Sequence, residues 1–258
     1  MHRFHATTQL RLVSVKSFAA EEAHSVLSAG GANMDIASQI VKIQQFISER
    51  VEESQSNGVV IGVSGGIDSA VVAFLSVRAL GKARVLGILL PSHTTPNEDE
   101  NDAMQVVRML GIEHARIPIS EIIEAFGKHL PEFKEGGLPK ANLQARVRMC
   151  ILYYHANLKN YLVCGTTDAS ENFLGYFTKH GDGAADIEPI INVTKSDLKV
   201  MARELGVPAN LIKKKSSPNL LMKHDAEEEL GVSYELLDKL LNRNRITEHK
   251  RNPPASPK

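Results

Sequence analysis

Several features that define other classes of protein are absent from this sequence. It has no tryptophan, and its two cysteines, Cys150 and Cys164, are far apart and form no CxxC pair. That spacing argues against zinc and dithiol redox sites and fits a reducing cytoplasm. We therefore expect both cysteines to be small core residues. No apolar run approaches the length of a membrane span, and the first residues contain no apolar signal core.

An excess of charge of either sign is also absent. The 30 basic and 30 acidic residues give a formal net charge of zero. A general nucleic-acid or membrane-surface binder would carry a basic excess. We therefore expect a cytoplasmic protein without nucleic acid or membrane partners. The 258 residues are enough for one large α/β domain.

Helical and strand patterns alternate from residue 35 onward. This alternation predicts an α/β fold of three layers, Rossmann-like, with helices on both faces of a parallel sheet. The predicted strands are 59–63, 84–90, 114–119, 161–164 and a short fifth at 187–191. The predicted helices are 35–54, 69–80, 98–110, 120–130, 142–159 and 194–205. Residues 1–33 are weakly patterned and suggest an extension or an early start codon, so that 34–258 form the single catalytic domain.

A glycine turn directly follows the first predicted strand. It reads Ser64-Gly65-Gly66-Ile67-Asp68-Ser69 and opens a helical run. Unpaired N–H groups and the helix dipole favour an anion at such a helix N-terminus, and glycine lets the main chain approach phosphate closely. Asp68 makes sense among phosphates if a divalent cation lies between them. The turn matches neither Walker A nor G-x-G-x-x-G. The alternative is a turn whose glycines serve steric needs alone.

A second group of polar residues follows the fourth predicted strand. Small and hydroxyl residues at 165–170 suit close approach by a nucleotide at the carboxyl end of a strand. Glu171 could complete a metal site begun by Asp68, and Lys179 is a candidate phosphate or carboxylate partner. Asp182 and Asp186 lie on a glycine-rich loop, where each could instead be a turn residue or helix cap.

Four segments, in order along the chain, resemble known families. The SGGxDS turn resembles the pyrophosphate-binding loop of the ATP pyrophosphatases. Three further segments are similar to signatures of the NAD synthetases: 140–149 (KANLQARVRM), 171–195 (ENFLGYFTKHGDGAADIEPIINVTK) and 247–254 (TEHKRNPP). The resemblance runs from about residue 35 to the end. It implies an adenine nucleotide α-hydrolase-like fold.

The resemblance also implies a set of site residues. Asp68 and Glu171 would bind Mg²⁺ and, with Lys195, form the catalytic set. Lys213-Lys214-Lys215 could bind phosphate or a polyanion, but the run favours a flexible, solvated loop. The resemblance implies a mobile loop near 209–227 that closes over the reacting centre, and another near 93–97. ATP would contact Gly62, Val63, Ser64, Gly65, Gly66, Ile67, Asp68, Ser69, Thr166, Lys195 and Ser217. Deamido-NAD would contact Arg146, Lys179, Asp186, His249 and Lys250.

A homodimer is implied as well, with the dinucleotide site at its interface. The helix 146–154, with Met149, Ile151, Leu152 and Tyr153, is the expected source of that interface.

The implied reaction is ATP-dependent amidation of deamido-NAD to NAD, the last step of NAD biosynthesis. It passes through an acyl adenylate and releases AMP and pyrophosphate. Free ammonia or a partner subunit is the expected nitrogen source, because 33 residues before Met34 cannot form an amidase domain. A tRNA-modifying ligase or thiolase is the alternative enzyme, but neutral charge and the two cysteines argue against it. The non-enzymatic alternative is an adenine-nucleotide sensor that has lost the chemistry. The presence of Asp68, Glu171 and Lys195 argues against it, because a sensor would not need to retain them.

Overall fold

A computed structural model describes residues 35–214 as an alternating series of helices and parallel strands. None of the helices in this range is both long and apolar enough to span a membrane. The elements are α1 (Ile36–Glu53), β1 (Gly58–Gly62), α2 (Ile67–Leu80), a short 3-10 helix (Lys82–Arg84), β2 (Val85–Leu89), α3 (Asn97–Leu110), β3 (Glu113–Arg116), α4 (Ser120–His129), α5 (Gly137–Lys159), β4 (Tyr161–Val163), α6 (Ala169–Leu174), α7 (Lys195–Leu205) and α8 (Ala209–Lys213).

The four strands form one parallel sheet in the order β3-β2-β1-β4. Alternate side chains of the central strands enter two separate cores: Val59 and Ile61 pack with α1, α2, α3 and α7, and Val60 packs with α4 and α5. Both faces are buried, which explains the continuous apolar runs of these strands. The predicted three-layer α/β fold is confirmed. The strand order reverses between β1 and β4, and ligands of open α/β sheets bind beyond the carboxyl ends of strands at such a point.

The structure corrects several predicted elements. The segment 187–191 forms no strand; it contributes one parallel bridge, between Ile187 and Cys164. Pro189 lacks the N–H that would continue the pairing. The third strand ends at Arg116 instead of residue 119, and α5 begins at Gly137 instead of residue 142.

The two cysteines differ in exposure. Cys164 is buried, as predicted, but Cys150 is exposed on α5, so its assignment to the core is wrong. The apolar residues of α5 that were expected to form a dimer interface face this chain's own core. Met149 and Leu152 are buried there, and Ile151 and Tyr153 pack against the same cluster.

Candidate active site

A cavity of about 660 Å³ lies at the carboxyl ends of β1, β2 and β4. The glycine turn after β1 forms one wall, and the residues after β4 form another. α5 contributes a third wall, where Ala145, Met149 and Leu152 line the space. The predicted ATP contacts that line it are Gly62, Val63, Ser64, Gly65, Gly66, Ile67, Asp68, Ser69 and Thr166. All the predicted ATP residues of the described chain except Lys195 therefore line this cavity.

The glycine turn is braced by its own serines and by α3. Ser69 Oγ accepts the N–H of Ser64 at 3.2 Å and donates to the carbonyl of Gly66 at 3.1 Å. Gly65 has φ +83°, and a Cβ on it would lie 2.0 Å from the carbonyl oxygen of Asp99. Glycine is therefore required here both by backbone conformation and by close approach. The first N–H groups of α2 follow at once and have no intrahelical acceptor.

The wall after β4 is tightly packed in the same way. Thr167 donates from its N–H to Glu188 Oε2 at 3.2 Å and from its hydroxyl to Glu188 Oε1 at 3.3 Å. A Cβ on Gly165 would meet the Glu188 carboxylate at 2.4 Å. This packing presents Thr166 to the cavity beside the glycine turn.

Lys195 is 1% exposed and lies behind the cavity wall, at the first residue of α7. Its Nζ is 2.6 Å from Asp68 Oδ1, 2.7 Å from Asp168 Oδ2 and 3.9 Å from Glu171 Oε1. Burial opposes the charged amine, but the three carboxylates outweigh it and raise the pKa of Lys195 well above its ordinary value. An ammonium in this position compensates part of a buried negative charge.

Negative charge on the acidic side of this cluster is unfavourable. Burial, reinforced by the charge of Asp68, raises the pKa of Glu171 to about 8, and burial also raises the pKa of Asp168. Asp68 and Glu171 line the cavity, whereas Asp168 does not. A further cation at the cavity side would relieve this repulsion, and Mg²⁺ typically takes one or two carboxylates together with phosphate oxygens. The donor set therefore fits Mg²⁺.

A metal held here depends on ligands beyond the protein. Between residues 35 and 214, no cluster of three or more His, Cys, Asp or Glu side chains has the arrangement of a metal site. Phosphate oxygens or water would have to supply the remaining ligands.

The predicted dinucleotide contacts among the described residues do not line the cavity, and two of them bond to residues of α5 or to its neighbours. Arg146 is exposed and donates from Nε to the carbonyl of Lys179 at 3.2 Å. Asp186 accepts the Tyr153 hydroxyl at 3.2 Å and the Val163 N–H at 2.8 Å. Asp186 thus caps the backbone of β4, a structural role that its loop position did not indicate. Three further predicted contacts, Ser217, His249 and Lys250, lie outside the described residues.

Two basic residues of the cavity were missed. Arg148 lines it and donates from Nε to the carbonyl of Leu90 at 3.0 Å, and burial lowers the pKa of its guanidinium. The sequence feature that could have identified Arg148 is its place as the second arginine of the segment 140–149. Lys214 also lines the cavity and forms ion pairs with Asp99 and, at 2.6 Å, with Asp102.

Lys214 also corrects the expectation of a solvated lysine loop. Burial opposes its charge, but hydrogen bonds to Asp102 and Asp99 raise the pKa of Lys214. The residues just before it form α8. The described part of the segment 209–227 is therefore a docked helix and not a solvated loop.

The fold and the cavity define the class of protein. A β3-β2-β1-β4 parallel sheet with an SGGxDS turn beside the switch point is typical of the ATP pyrophosphatase class. The family model for NAD synthase matches residues 39–255. The chain belongs to the NAD synthase family.

Relatives of known name cover most of the chain. It is 46% identical to the NH(3)-dependent NAD(+) synthetase of Thermococcus sibiricus over 82% of each protein. It is 50% identical to that of Pyrobaculum aerophilum, over 77% of this chain and 74% of the relative.

Two solved structures are similar. NMN synthetase from Francisella tularensis has a TM-score of 0.78 at 36% identity, covering 87% of this chain and 99% of that one. The NH3-dependent NAD synthetase from Campylobacter jejuni has a TM-score of 0.67 at 34% identity, covering 87% and 100%.

Proposed function

We propose that this chain catalyses the ATP-dependent amidation of deamido-NAD to NAD with free ammonia, as a cytoplasmic homodimer. The observation that carries the proposal is that the SGGxDS turn and Thr166 line one cavity, with Asp68 and Glu171 in its wall. The named relatives support the same reaction and the same nitrogen source.

ATP occupies the cavity with its phosphates at the glycine turn. The N–H groups at the start of α2 and the hydroxyls beside them face that position, and Thr166 contacts the nucleotide from the β4 side. Lys195 does not line the cavity, and it provides positive charge to the phosphate side from behind Asp68. Asp68 and Glu171 would hold Mg²⁺, which neutralises phosphate charge when bound.

Activation begins at the nicotinic-acid carboxylate, a poor electrophile at neutral pH. Its oxygen attacks the α-phosphorus of ATP, the α–β bridging bond breaks, and pyrophosphate leaves. Ammonia then attacks the carbonyl carbon of the acyl adenylate, AMP leaves, and a proton is released to give the amide. The protein contributes alignment of two anions and neutralisation of charge, and a closed site protects the adenylate from water.

The substrate carboxylate approaches from the α5 side. Arg146, Lys179 and Asp186 hold deamido-NAD beside α5, with His249 and Lys250 completing the set. The second subunit supplies the rest of the dinucleotide site. Tyr154 and Leu158 support an interface there, because they are 65% and 67% exposed one turn apart on α5.

A second substrate has a specific observation in its favour. The similar structure with a TM-score of 0.78 is described as an NMN synthetase. Its product lacks the adenylate half of NAD. Nicotinic acid mononucleotide presents the same carboxylate, and Arg146 and Lys179, which would recognise a second nucleotide, do not line the cavity.

The test is a turnover assay with ATP, Mg²⁺ and ammonium, offering deamido-NAD and nicotinic acid mononucleotide separately. We expect NAD and pyrophosphate in equal amounts from deamido-NAD, little product from the mononucleotide, and little with glutamine in place of ammonium. Asp68→Ala should abolish both products. Preference for the mononucleotide, or for glutamine, would overturn the proposal.

A further inference from the structure

Asp168 is a fully buried carboxylate with two separate partners. It is the N-cap residue of α6, and its Oδ1 accepts the N–H of Glu171 at 2.8 Å. Its Oδ2 lies 2.7 Å from Lys195 Nζ. Glu171 returns the cap, because its Oε2 accepts the N–H of Asp168 at 3.2 Å. One side chain therefore contacts both Lys195 and Glu171.

The charged residues of this cluster differ in whether they line the cavity. Asp68 and Glu171 line the cavity, and Asp168 does not. The Lys195 ammonium lies between Asp68 at 2.6 Å and Asp168 at 2.7 Å. Asp168 thus contacts the ammonium away from the cavity, whereas Asp68, its other close partner, lines the cavity. A cap needs only one carboxylate oxygen, so the second is available to fix Lys195.

We propose that Asp168 is a positioning residue for adenylate formation. It fixes the Lys195 ammonium behind Asp68 and, through the reciprocal cap, orients Glu171. The two cavity-facing carboxylates then hold a defined position and charge when ATP arrives. This inference rests on the proposed function, and it assigns to the aspartate of D-x-x-E a role beyond helix capping.

Asparagine separates capping from charge. In Asp168→Asn the amide oxygen can still accept the Glu171 N–H, because asparagine is as good an N-cap as aspartate. Its NH₂ group would then face the Lys195 ammonium, donor against donor. The helix cap survives while the ion pair is lost. Asp168→Ser provides a second uncharged cap should the asparagine variant not fold.

Asp197→Asn is the matched control. Asp197 lies in the first turn of α7, two residues from Lys195, and is not among the carboxylates that form ion pairs with it. The variant removes the same formal charge, here from the helix that carries Lys195, and we expect its kinetics to match those of the unsubstituted protein.

The measurements are kcat and KM for each substrate, thermal midpoint, and ATP affinity by calorimetry in EDTA. For Asp168→Asn we expect kcat to fall about tenfold to a hundredfold, the scale of a charge-assisted hydrogen bond. The KM for ammonium should not change. The thermal midpoint should stay within a few degrees. The ATP affinity without metal should change, because the Lys195 ammonium shifts when Asp168 no longer binds it and its charge then acts on the phosphates from another position.

A double variant tests whether Asp168 affects kcat through Lys195. If Asp168 acts through Lys195, adding Asp168→Asn to Lys195→Met should cost little more than Lys195→Met alone. Full additivity, or an Asp168→Asn protein with unchanged kcat and ATP affinity, would overturn the inference. If the unsubstituted protein makes no NAD, the proposed function fails instead, and ATP affinity in EDTA still decides the role of Asp168.

Discussion

Replacing Gly65 by alanine tests whether α3 fixes the phosphate-binding turn. The new Cβ would lie 2.0 Å from the Asp99 carbonyl oxygen, and separations under 3.0 Å essentially never occur, so the two segments must part by about 1 Å. A displacement of that size at a reacting site can cost about 100-fold in rate. The positive φ adds about 1–2 kcal/mol of backbone strain. We expect kcat/KM for ATP to fall by about 100-fold or more.

Gly206→Ala is the control for strain without collision. Gly206 has φ +84°, almost equal to the +83° of Gly65, and a Cβ there would have nothing within 4 Å. We expect it to lose about 1–2 kcal/mol of stability, a fall of about 3–8 °C in thermal midpoint, and to keep its kcat/KM. Pyrophosphate release against ATP concentration measures both variants. A Gly65→Ala enzyme with nearly unchanged kcat/KM would refute the reasoning that α3 sets the turn.

Three further predictions concern charge, pH and assembly. Lys214→Met removes the cation that is paired with the buried Asp99 and Asp102. It should lower the free energy of unfolding by about 2–3 kcal/mol and the thermal midpoint by about 5–10 °C. Lys213→Met, at the exposed neighbouring residue, should leave the thermal midpoint unchanged. The raised pKa of Glu171 means that its contribution to stability is present at acid pH and is lost as pH rises towards about 8. In EDTA, Glu171→Gln should therefore gain stability relative to the unsubstituted protein between pH 5 and 8; a constant difference in thermal midpoint would contradict this. An aspartate at either Tyr154 or Leu158 should convert a dimer to a monomer in light scattering with little change in thermal midpoint; a dimer that persists would place the interface elsewhere.

The strands and the nucleotide turn could be predicted because their signals are local. β1 and β2 are buried on both faces, so every residue of the runs around Val60 and Ile88 is apolar, and the glycine turn is contiguous in sequence. The segment 187–191 contains three isoleucines, but Pro189 cannot continue the pairing and only one bridge forms, at Ile187.

α6 was missed although it carries a signal. Its six residues are too few for a periodic apolar stripe, but Asp168 and Glu171 have the spacing of a capping box. From the sequence alone, Glu171 is a candidate metal ligand and Asp168 has no assigned role.

The internal pairing of the site could not be predicted from sequence. Lys195 and Asp68 are 127 residues apart, and their ion pair depends on how α7 packs against α2. The same holds for Lys214, whose carboxylate partners lie on α3 more than a hundred residues earlier. A run of three lysines carries no information on which of them meets an acidic helix.

The strand order has a consequence for how the protein forms during synthesis. β1 pairs with β2 nearby in sequence, but its other edge waits for β4, with Gly58 opposite Tyr161. Pairings between distant segments form slowly, and an open strand edge can pair with another chain. A nascent chain that has completed α4 holds the glycine turn beside an exposed edge of β1. The ribosome must deliver about thirty more residues before β4 can cover that edge, so chaperone capture and misassembly should concentrate in this interval.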